Sequence, residues 1–156
     1  MDKIFSFIVN NKTNKLLLLL GSPEDPQYHK SFWYVVTGAK EDTDKNLEET
    51  VTREIKEETN LDVVDSLYLN WIFKYKSIGN ICTEYVYVSF VDEDNNIVLN
   101  EESIDYKWCD IDEFIHLIEW SDNKDFLRNV VKAAVNKEVY IKEERVDNEK
   151  NRGHYN

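Results

Sequence analysis

The sequence predicts an α+β fold, a layered α/β/α sandwich with a mixed β-sheet and one helix inserted between its strands. Short segments rich in apolar, β-branched and aromatic residues recur along the chain as far as Trp108. A capped helix pattern interrupts them mid-chain, and two further helix patterns follow the last strand. Strands on both sides of a helix, with more helices at the end, are typical of such layered folds.

Three strand patterns precede the central helix. Ile4–Val9 and Lys15–Leu20 flank a short polar turn, which predicts a hairpin. Ser22–Ser31 contains both prolines and predicts a surface loop. A third strand is expected at Phe32–Thr37, directly before Gly38.

The central helix has a defined start and a defined end. Asn46 is a favourable N-cap, and Glu49 three residues later completes a capping box. Asn60 can adopt the left-handed conformation that commonly terminates a helix. We therefore expect the helix to lie between the two asparagines.

Strand patterns resume after this helix. Val63–Lys76 and Ile81–Val91 predict two long strands joined by a turn at Gly79, and Ile97–Leu99 and Tyr106–Trp108 predict two short ones. The remaining helices are expected at Ile111–Ile118 and at Asp122–Val135, the second capped by Ser121 or Asp122.

The bulk composition favours one packed domain. Acidic residues outnumber basic ones by 31 to 19, so a net charge of −12 disfavours nucleic-acid binding. The longest apolar run, Leu16–Leu20, is too short to span a membrane. Cys82 and Cys109 are isolated and predict reduced thiols in a cytoplasmic protein. We expect one domain over residues 1–136 and a charged, partly disordered tail over residues 137–156; the oligomeric state stays open.

One face of the central helix carries both apolar and acidic residues. Glu54 and Glu58 are one turn apart, and Leu47 and Val51 lie within about 60° of them around the helix axis. A solvated charge run would place the acids opposite the apolar residues. Carboxylates gathered on a buried face need compensation, and a hard divalent cation such as Mg²⁺ supplies it. The sequence therefore predicts a metal site on this face.

The segment Arg53-Glu54-Ile55-Lys56-Glu57-Glu58-Thr59-Asn60-Leu61, preceded by Gly38, resembles the signature of the Nudix hydrolases. The family pattern is Gly, five residues, Glu, seven residues, then Arg-Glu-apolar-x-Glu-Glu-x-Gly-apolar, with Asn60 here in place of the second Gly. The loop after Gly38 is one residue longer, so the first Glu falls on Asp44 or Lys45. The resemblance implies the Nudix α/β/α sandwich with its catalytic loop-helix-loop.

Further segments are similar to the dihydroneopterin triphosphate pyrophosphatase branch of that family. They are Phe32-Trp33 before Thr37-Gly38, Tyr106-Lys107-Trp108-Cys109-Asp110, and Trp120-Ser121-Asp122-Asn123. In that branch a metal-binding Glu precedes the Tyr-Lys-Trp strand. The matching residue here is Glu102, with Glu101 as the adjacent alternative, although an ordinary loop carboxylate explains either one equally well.

The resemblance also implies roles for particular residues. The metal, Mg²⁺ or alternatively Mn²⁺, would be held by the Gly38 carbonyl and by four carboxylates, Glu54, Glu57, Glu58 and Glu102. The catalytic set would be Arg53, Glu54, Glu57 and Glu58, and the proton acceptor would be Glu54 or Glu102. Arg53 lies off the metal face, so we expect it to pair with Asp44, or with Glu49 or Glu57 on its own helix.

Two residues are candidates for substrate contact. Trp33 could stack on a base or a pterin, although aromatic residues in strands are more often part of the core. Lys40, with His29 and Lys30, is one of the few cations near enough to offset phosphate charge.

The function implied is Mg²⁺-dependent pyrophosphohydrolysis of a nucleoside- or pterin-triphosphate-like substrate, a nucleoside diphosphate linked to another group. Two alternatives stay open. One is a hydrolase of dinucleoside polyphosphates or a nucleotide-sanitising hydrolase. The other is a Nudix-fold nucleotide-binding module without turnover.

Overall fold

The computed structural model describes residues 1–23, 31–93 and 95–138, and most of the predicted proline-containing loop and C-terminal tail lie outside them. The described residues form seven strands and three helices. The strands are β1 (Asp2–Asn10), β2 (Leu16–Gly21), β3 (Trp33–Tyr34), β4 (Val36–Ala39), β5 (Asp65–Ser77), β6 (Asn80–Val91) and β7 (Ser103–Cys109). The helices are α1 (Leu47–Thr59), α2 (Ile111–Leu117) and α3 (Lys124–Val135).

The strands form one mixed sheet around β1, in the order β3-β2-β1-β6-β5. β1 runs parallel to β6 along its whole length, and the first half of β1 is antiparallel to β4. The predicted hairpin forms, but β1 pairs with β2 only next to the turn, at Val9 and Leu16. From there β2 pairs with β3 and β7 instead, so the two halves of the sheet diverge beside β4. This divergence leaves room for a site next to Gly38.

Two hydrophobic cores cover the two faces of the sheet. Alternating residues of β1 supply both, as expected from the two-residue period of a strand. Phe5 and Phe7 pack toward α2 and α3, where Phe114 and Leu127 belong to the same cluster. Ile4 and Ile8 face α1 and pack in a second cluster with Val51 and Ile55. The α/β/α layering predicted from the sequence is confirmed.

Helix α1 begins and ends as predicted. The Asn46 side chain accepts a hydrogen bond from the Glu49 backbone N–H at 2.9 Å, and Glu49 accepts one from the Lys45 backbone N–H at 2.8 Å. Asn60 has a left-handed backbone, with φ of 69°. Its N–H bonds the Lys56 carbonyl and closes the last turn.

Three predicted elements differ from the structure. The strand expected at Phe32–Thr37 is split into β3 and β4, because β3 pairs with β2 whereas β4 pairs with β1. The strand expected at Ile97–Leu99 is wrong, since the Val98 N–H bonds the Thr59 carbonyl at the end of α1. Helix α3 is capped by Asn123 and not by Ser121 or Asp122, since the Asn123 side chain accepts two of its first N–H groups.

Two simpler expectations agree with the structure. Cys82 and Cys109 are free and buried. Burial raises the pKa of the Cys109 thiol to about 12, so it stays protonated at neutral pH. In the described part of the chain, none of the helices has the length and apolar character needed to cross a membrane.

Candidate metal and phosphate site

The end of β4 and the middle of α1 lie in direct contact at Gly38. A Cβ atom placed on Gly38 would overlap the carboxylate of Glu54, at Cδ and at Oε2. Any larger residue would therefore move Glu54 out of position. Gly38 is required here for close approach and not for an unusual backbone angle.

Glu54 and Glu58 form an acidic pair on the buried face of α1, as the sequence predicts. Their side chains are 13% and 5% exposed, and the neighbouring Glu57 is 54% exposed. A hydrogen bond joins the carboxyl groups of Glu58 and Glu54, and it raises the pKa of Glu58 and lowers that of Glu54. Among the described residues, the buried Oε2 of Glu58 has no hydrogen-bond partner.

Burial and neighbouring carboxylates together disfavour the charged form of this pair. Burial is the largest cause that raises the pKa of Glu58, to about 10, followed by the charges of Glu102 and Glu54. Burial likewise raises the pKa of Glu54, while its hydrogen bond from Glu58 and the charge of Arg53 lower it. At neutral pH the pair needs either a proton or a cation.

Glu102 completes the acidic group from the opposite side. It precedes β7, where the Ser22 N–H bonds its carbonyl at 2.9 Å and the Asn100 side chain accepts its N–H at 3.0 Å. Glu102 and Glu58 line the same small cavity of about 80 Å³, together with Tyr34 and Thr37. Of the two adjacent acids, Glu102 lines this cavity with Glu58.

Arg53 and Asp44 hold the loop after Gly38 against α1. Asp44 is 5% exposed, and its two oxygens accept from Nε and Nη2 of Arg53 at 3.0 and 2.9 Å. The Thr50 hydroxyl and the Glu41 N–H also donate to Asp44, each at 2.9 Å. These bonds hold the pKa of Asp44 well below its ordinary value. The predicted pairing of Arg53 with Asp44 is confirmed, and Arg53 also reaches Glu57 at 3.3 Å.

The extra residue in the loop therefore does not bring Asp44 into the group formed by Glu54, Glu58 and Glu102. Asp44 is saturated by Arg53, Thr50 and the backbone. Its place in the fold is structural: it fixes the guanidinium, which in turn donates to the Ala39 carbonyl at 3.0 Å and to Glu54 at 3.3 Å.

A larger cleft lies beside the acidic group. It measures about 360 Å³ and is lined by Tyr34, Thr37, Phe73, Glu84 and Trp120 among others. Tyr34 and Thr37 line both cavities, so the cleft and the acidic group adjoin. A third cavity of about 550 Å³ continues along β5 and α3 and shares Phe73, Trp120 and Asp122 with the cleft.

The two predicted substrate contacts lie elsewhere. Trp33 packs against the larger hydrophobic core, and Lys40 is exposed, with its N–H bonded to the Asp2 carbonyl. Neither lines the cavities described above, and His29 and Lys30 lie outside the described residues. The sequence did not indicate that Phe73, Glu84 and Trp120 line a common cleft. A signal for Glu84 was present, because it occupies an inward position in the alternation Glu84-x-Val86-x-Val88.

The donor chemistry fits a hard divalent cation. Within residues 1–23, 31–93 and 95–138, no three His, Cys, Asp or Glu side chains already converge in metal-binding geometry. Oxygen ligands are nevertheless gathered: the buried Oε2 of Glu58, which has no hydrogen-bond partner among the described residues, the neighbouring Glu54 carboxylate, and Glu102 on the same small cavity. Oxygen-only sets of this kind suit Mg²⁺ or Mn²⁺.

Comparison with known proteins gives a consistent match. The model of the NUDIX domain matches residues 2–130. No curated protein matches the sequence. Among solved structures, a protein assigned as a NUDIX hydrolase from Listeria monocytogenes is similar, with 21% identity and a TM-score of 0.70 over 91% of this chain and 99% of that one.

Two other solved structures are similar to nearly the same degree. The E. coli dihydroneopterin triphosphate pyrophosphohydrolase has 22% identity and a TM-score of 0.64, over 87% of this chain and 95% of that one. A C. elegans Ap4A hydrolase has 17% identity and a TM-score of 0.65, over 87% and 97%. At these identities the likeness establishes the fold, and the pterin branch is one of several similar structures.

Proposed function

The chain belongs to the Nudix family, as a Nudix hydrolase, and on that premise we propose that it is a Mg²⁺-dependent pyrophosphohydrolase that cleaves a phosphoanhydride in a nucleoside- or pterin-triphosphate-like substrate. The observation that carries the proposal is the buried Oε2 of Glu58, which receives no N–H donor and faces other carboxylates. A fold keeps such a group only where something compensates it. A cation bound to phosphate is the compensation that matches this family.

The proposed ligands are the Gly38 carbonyl and the four carboxylates of Glu54, Glu57, Glu58 and Glu102. When bound, Mg²⁺ or Mn²⁺ would neutralise phosphate charge and lower the pKa of an attacking water. The burial of Glu54 and Glu58 excludes water from one side of the site. Glu57 and Glu102 are exposed.

The proposed proton acceptor for the attacking water is Glu54 or Glu102. Glu54 is partly buried, and its orientation is fixed by the backbone at Gly38 and by Arg53. Glu102 sits on a loop at the small cavity. The contacts of Arg53 with Asp44, Glu54 and Glu57 support its proposed orienting role.

A variant of Glu58 tests the proposal. Glu58→Gln keeps the size of the side chain and removes its charge, so it should lower Mg²⁺-dependent release of phosphate or pyrophosphate by at least about 100-fold. Purified protein would be assayed with Mg²⁺ on dihydroneopterin triphosphate, the common nucleoside triphosphates, diadenosine polyphosphates and nucleotide sugars. Glu49→Gln, on the solvent side of the same helix, is the matched control and should keep its activity.

The outcomes separate the remaining hypotheses. Full activity of Glu58→Gln would overturn the site assignment. No turnover of any substrate by the wild type would instead favour the nucleotide-binding module. Preferred cleavage of diadenosine polyphosphates would favour the dinucleoside polyphosphate hydrolase. The adjoining cavity of about 550 Å³, which has room for a second aromatic group, is the observation in favour of that alternative.

Two further predictions from the sequence remain proposals. One domain over residues 1–136 is supported by the end of α3 at Val135, and the remaining residues would form a charged tail. A reducing, cytoplasmic compartment is supported by the two free, buried cysteines.

A further inference from the structure

Glu84 is a second buried carboxylate, separate from the acidic group on α1. It lies on β6 between Lys3 of β1 and Phe73 of β5, its register partners. It is 7% exposed, and it lines the cleft of about 360 Å³. Its neighbours along the same face of β6, Val86 and Val88, belong to the hydrophobic core. A carboxylate at such a position is costly unless it has a polar partner.

The protein supplies only part of that compensation. The Tyr75 hydroxyl donates to Oε2 of Glu84 at 3.2 Å, and the Lys3 ammonium lies 5.8 Å from the centre of the Tyr75 ring. Burial raises the pKa of Glu84, and the charge of Lys3 and the Tyr75 hydrogen bond oppose that rise only in part. The hydrogen bond from Tyr75 reaches only one of the two carboxylate oxygens, Oε2. An ionised carboxylate accepts hydrogen bonds at both oxygens and donates none.

The walls of the cleft suit a flat ring. Tyr34, Phe73 and Trp120 line it, and the ring centres of Phe73 and Trp120 are 5.9 Å apart. Aromatic side chains of this kind stack on heterocyclic bases without selecting among them. Selection must then come from a polar group, and Glu84 is the most buried one in the cleft.

The cleft also adjoins the acidic group that would bind the phosphates of a nucleotide. Tyr34 and Thr37 separate it from the cavity that contains Glu58 and Glu102. A ligand with its ring in the cleft would direct its phosphates toward the acidic group. The volume of the cleft is within the range of small-molecule sites.

We propose that Glu84 determines base specificity by accepting hydrogen bonds from the ring N–H and the 2-amino group of a 2-amino-4-oxo pyrimidine edge, which guanine and pterins share. Adenine and cytosine present an amino donor beside a ring acceptor, and uracil presents one donor between two acceptors. A carboxylate therefore meets two adjacent N–H donors only in guanine and the pterins. This assignment rests on the proposed function for its phosphate chemistry.

The test measures base preference in two independent ways. The first is kcat/KM of the wild type with Mg²⁺ for GTP, dihydroneopterin triphosphate, ATP and UTP. The second is quenching of tryptophan fluorescence by GMP and by AMP without added divalent cation, which does not depend on turnover. We expect GTP or the pterin triphosphate to exceed ATP and UTP by at least about 10-fold, and GMP to bind more tightly than AMP.

Two variants isolate the carboxylate. Glu84→Gln keeps the shape but offers a donor in place of one acceptor, so the preference for GTP over ATP should fall by about 10- to 100-fold. Glu119→Gln changes an exposed acid that lines the same cleft, and it should keep the preference. The thermal midpoint of each variant checks folding, because a purely structural role would move stability and leave the base ratio unchanged.

Each outcome has one meaning. A preference for GTP and a preference for dihydroneopterin triphosphate would each support the proposal. The ratio of the two kcat/KM values would show whether the recognised edge belongs to guanine or to a pterin. A wild type that prefers ATP or UTP would overturn it, and so would a Glu84→Gln variant with an unchanged base ratio. No hydrolysis of any substrate, together with selective quenching by GMP, would reject the proposed function and keep the assignment of Glu84.

Discussion

Asp44 and Glu58 are carboxylates with the same burial, each 5% exposed, at opposite ends of one functional segment. Asp44 accepts hydrogen bonds from Arg53, Thr50 and the Glu41 N–H, and its pKa is lowered. Glu58 has a buried oxygen without an N–H donor, faces Glu54 and Glu102, and has a pKa raised to about 10. Asp44 and Glu58 are therefore equally buried, but their surroundings shift their pKa values in opposite directions.

The difference separates a structural carboxylate from a functional one. Hydrogen bonds and an ion pair compensate the buried charge of Asp44, and they hold the loop between β4 and α1 in place. It leaves Glu58 uncompensated, which costs stability and creates a site that favours a cation. Changes around Asp44 should therefore act mainly on stability, and changes around Glu58 should act mainly on activity.

After Glu58→Gln, the largest expected effect comes from Gly38→Ala. The added methyl group would occupy the space of the Glu54 carboxylate and displace it from Glu58. We expect kcat/KM with Mg²⁺ to fall by about 10- to 100-fold, since small displacements of a reacting group have effects of this size. Steady-state hydrolysis of the best substrate, with the thermal midpoint measured in parallel, checks the prediction.

Gly21→Ala is the control for this experiment. Among the described residues, a Cβ there would meet only the Phe32 carbonyl oxygen, at an ordinary contact distance of 3.7 Å. It should therefore retain most of the activity. Equal losses in both variants would mean that the position of Glu54 is not the cause.

A smaller effect, on stability, is expected from Asp44→Asn. The amide is uncharged and has one acceptor oxygen, so Arg53 loses its ion pair and one of its two hydrogen bonds to residue 44. The melting temperature should fall by several degrees at pH 7, with a secondary loss of activity as the loop loosens. Because the pKa of Asp44 is lowered in the folded state, its contribution to stability is present at neutral pH and lost as the pH falls below about 4.

Acid titration of thermal stability measures this contribution. The wild type should lose stability below about pH 4, and the variant should show a weaker dependence there. Identical acid profiles for the two proteins would show that Asp44 is not the stabilising carboxylate.

Local patterns in the sequence predicted the site helix well. Asn46, Glu49 and Asn60 determine its ends through contacts within a few residues. The placement of Glu54 and Glu58 beside Val51 follows from helix periodicity alone. These features were therefore predictable without knowledge of the rest of the fold.

The features that the sequence did not predict depend on distant partners. The split between β3 and β4 arises because β1 and β2 diverge and each takes a different strand. The Val98 N–H bonds the end of α1 and not a sheet edge, and nothing local to Ile97–Leu99 indicates this. The cleft brings Tyr34, Phe73 and Trp120 together from separate elements, so its existence could not be read from any one segment.

The most direct test of the central claim compares the thermal stability of the wild type and Glu58→Gln, with chelator and with Mg²⁺, between pH 5 and pH 9. A raised pKa means that stability from protonated Glu58 is complete below about pH 4.5 and is lost as the pH rises toward 10. With chelator, the wild type should lose stability across this range, by at most about 1.4 kcal/mol per pH unit, and the variant should lose less and melt higher at pH 9. Mg²⁺ should restore the wild type and leave the variant unchanged. A variant that melts lower than the wild type at pH 9 with chelator, or an equal effect of Mg²⁺ on both, would contradict the account.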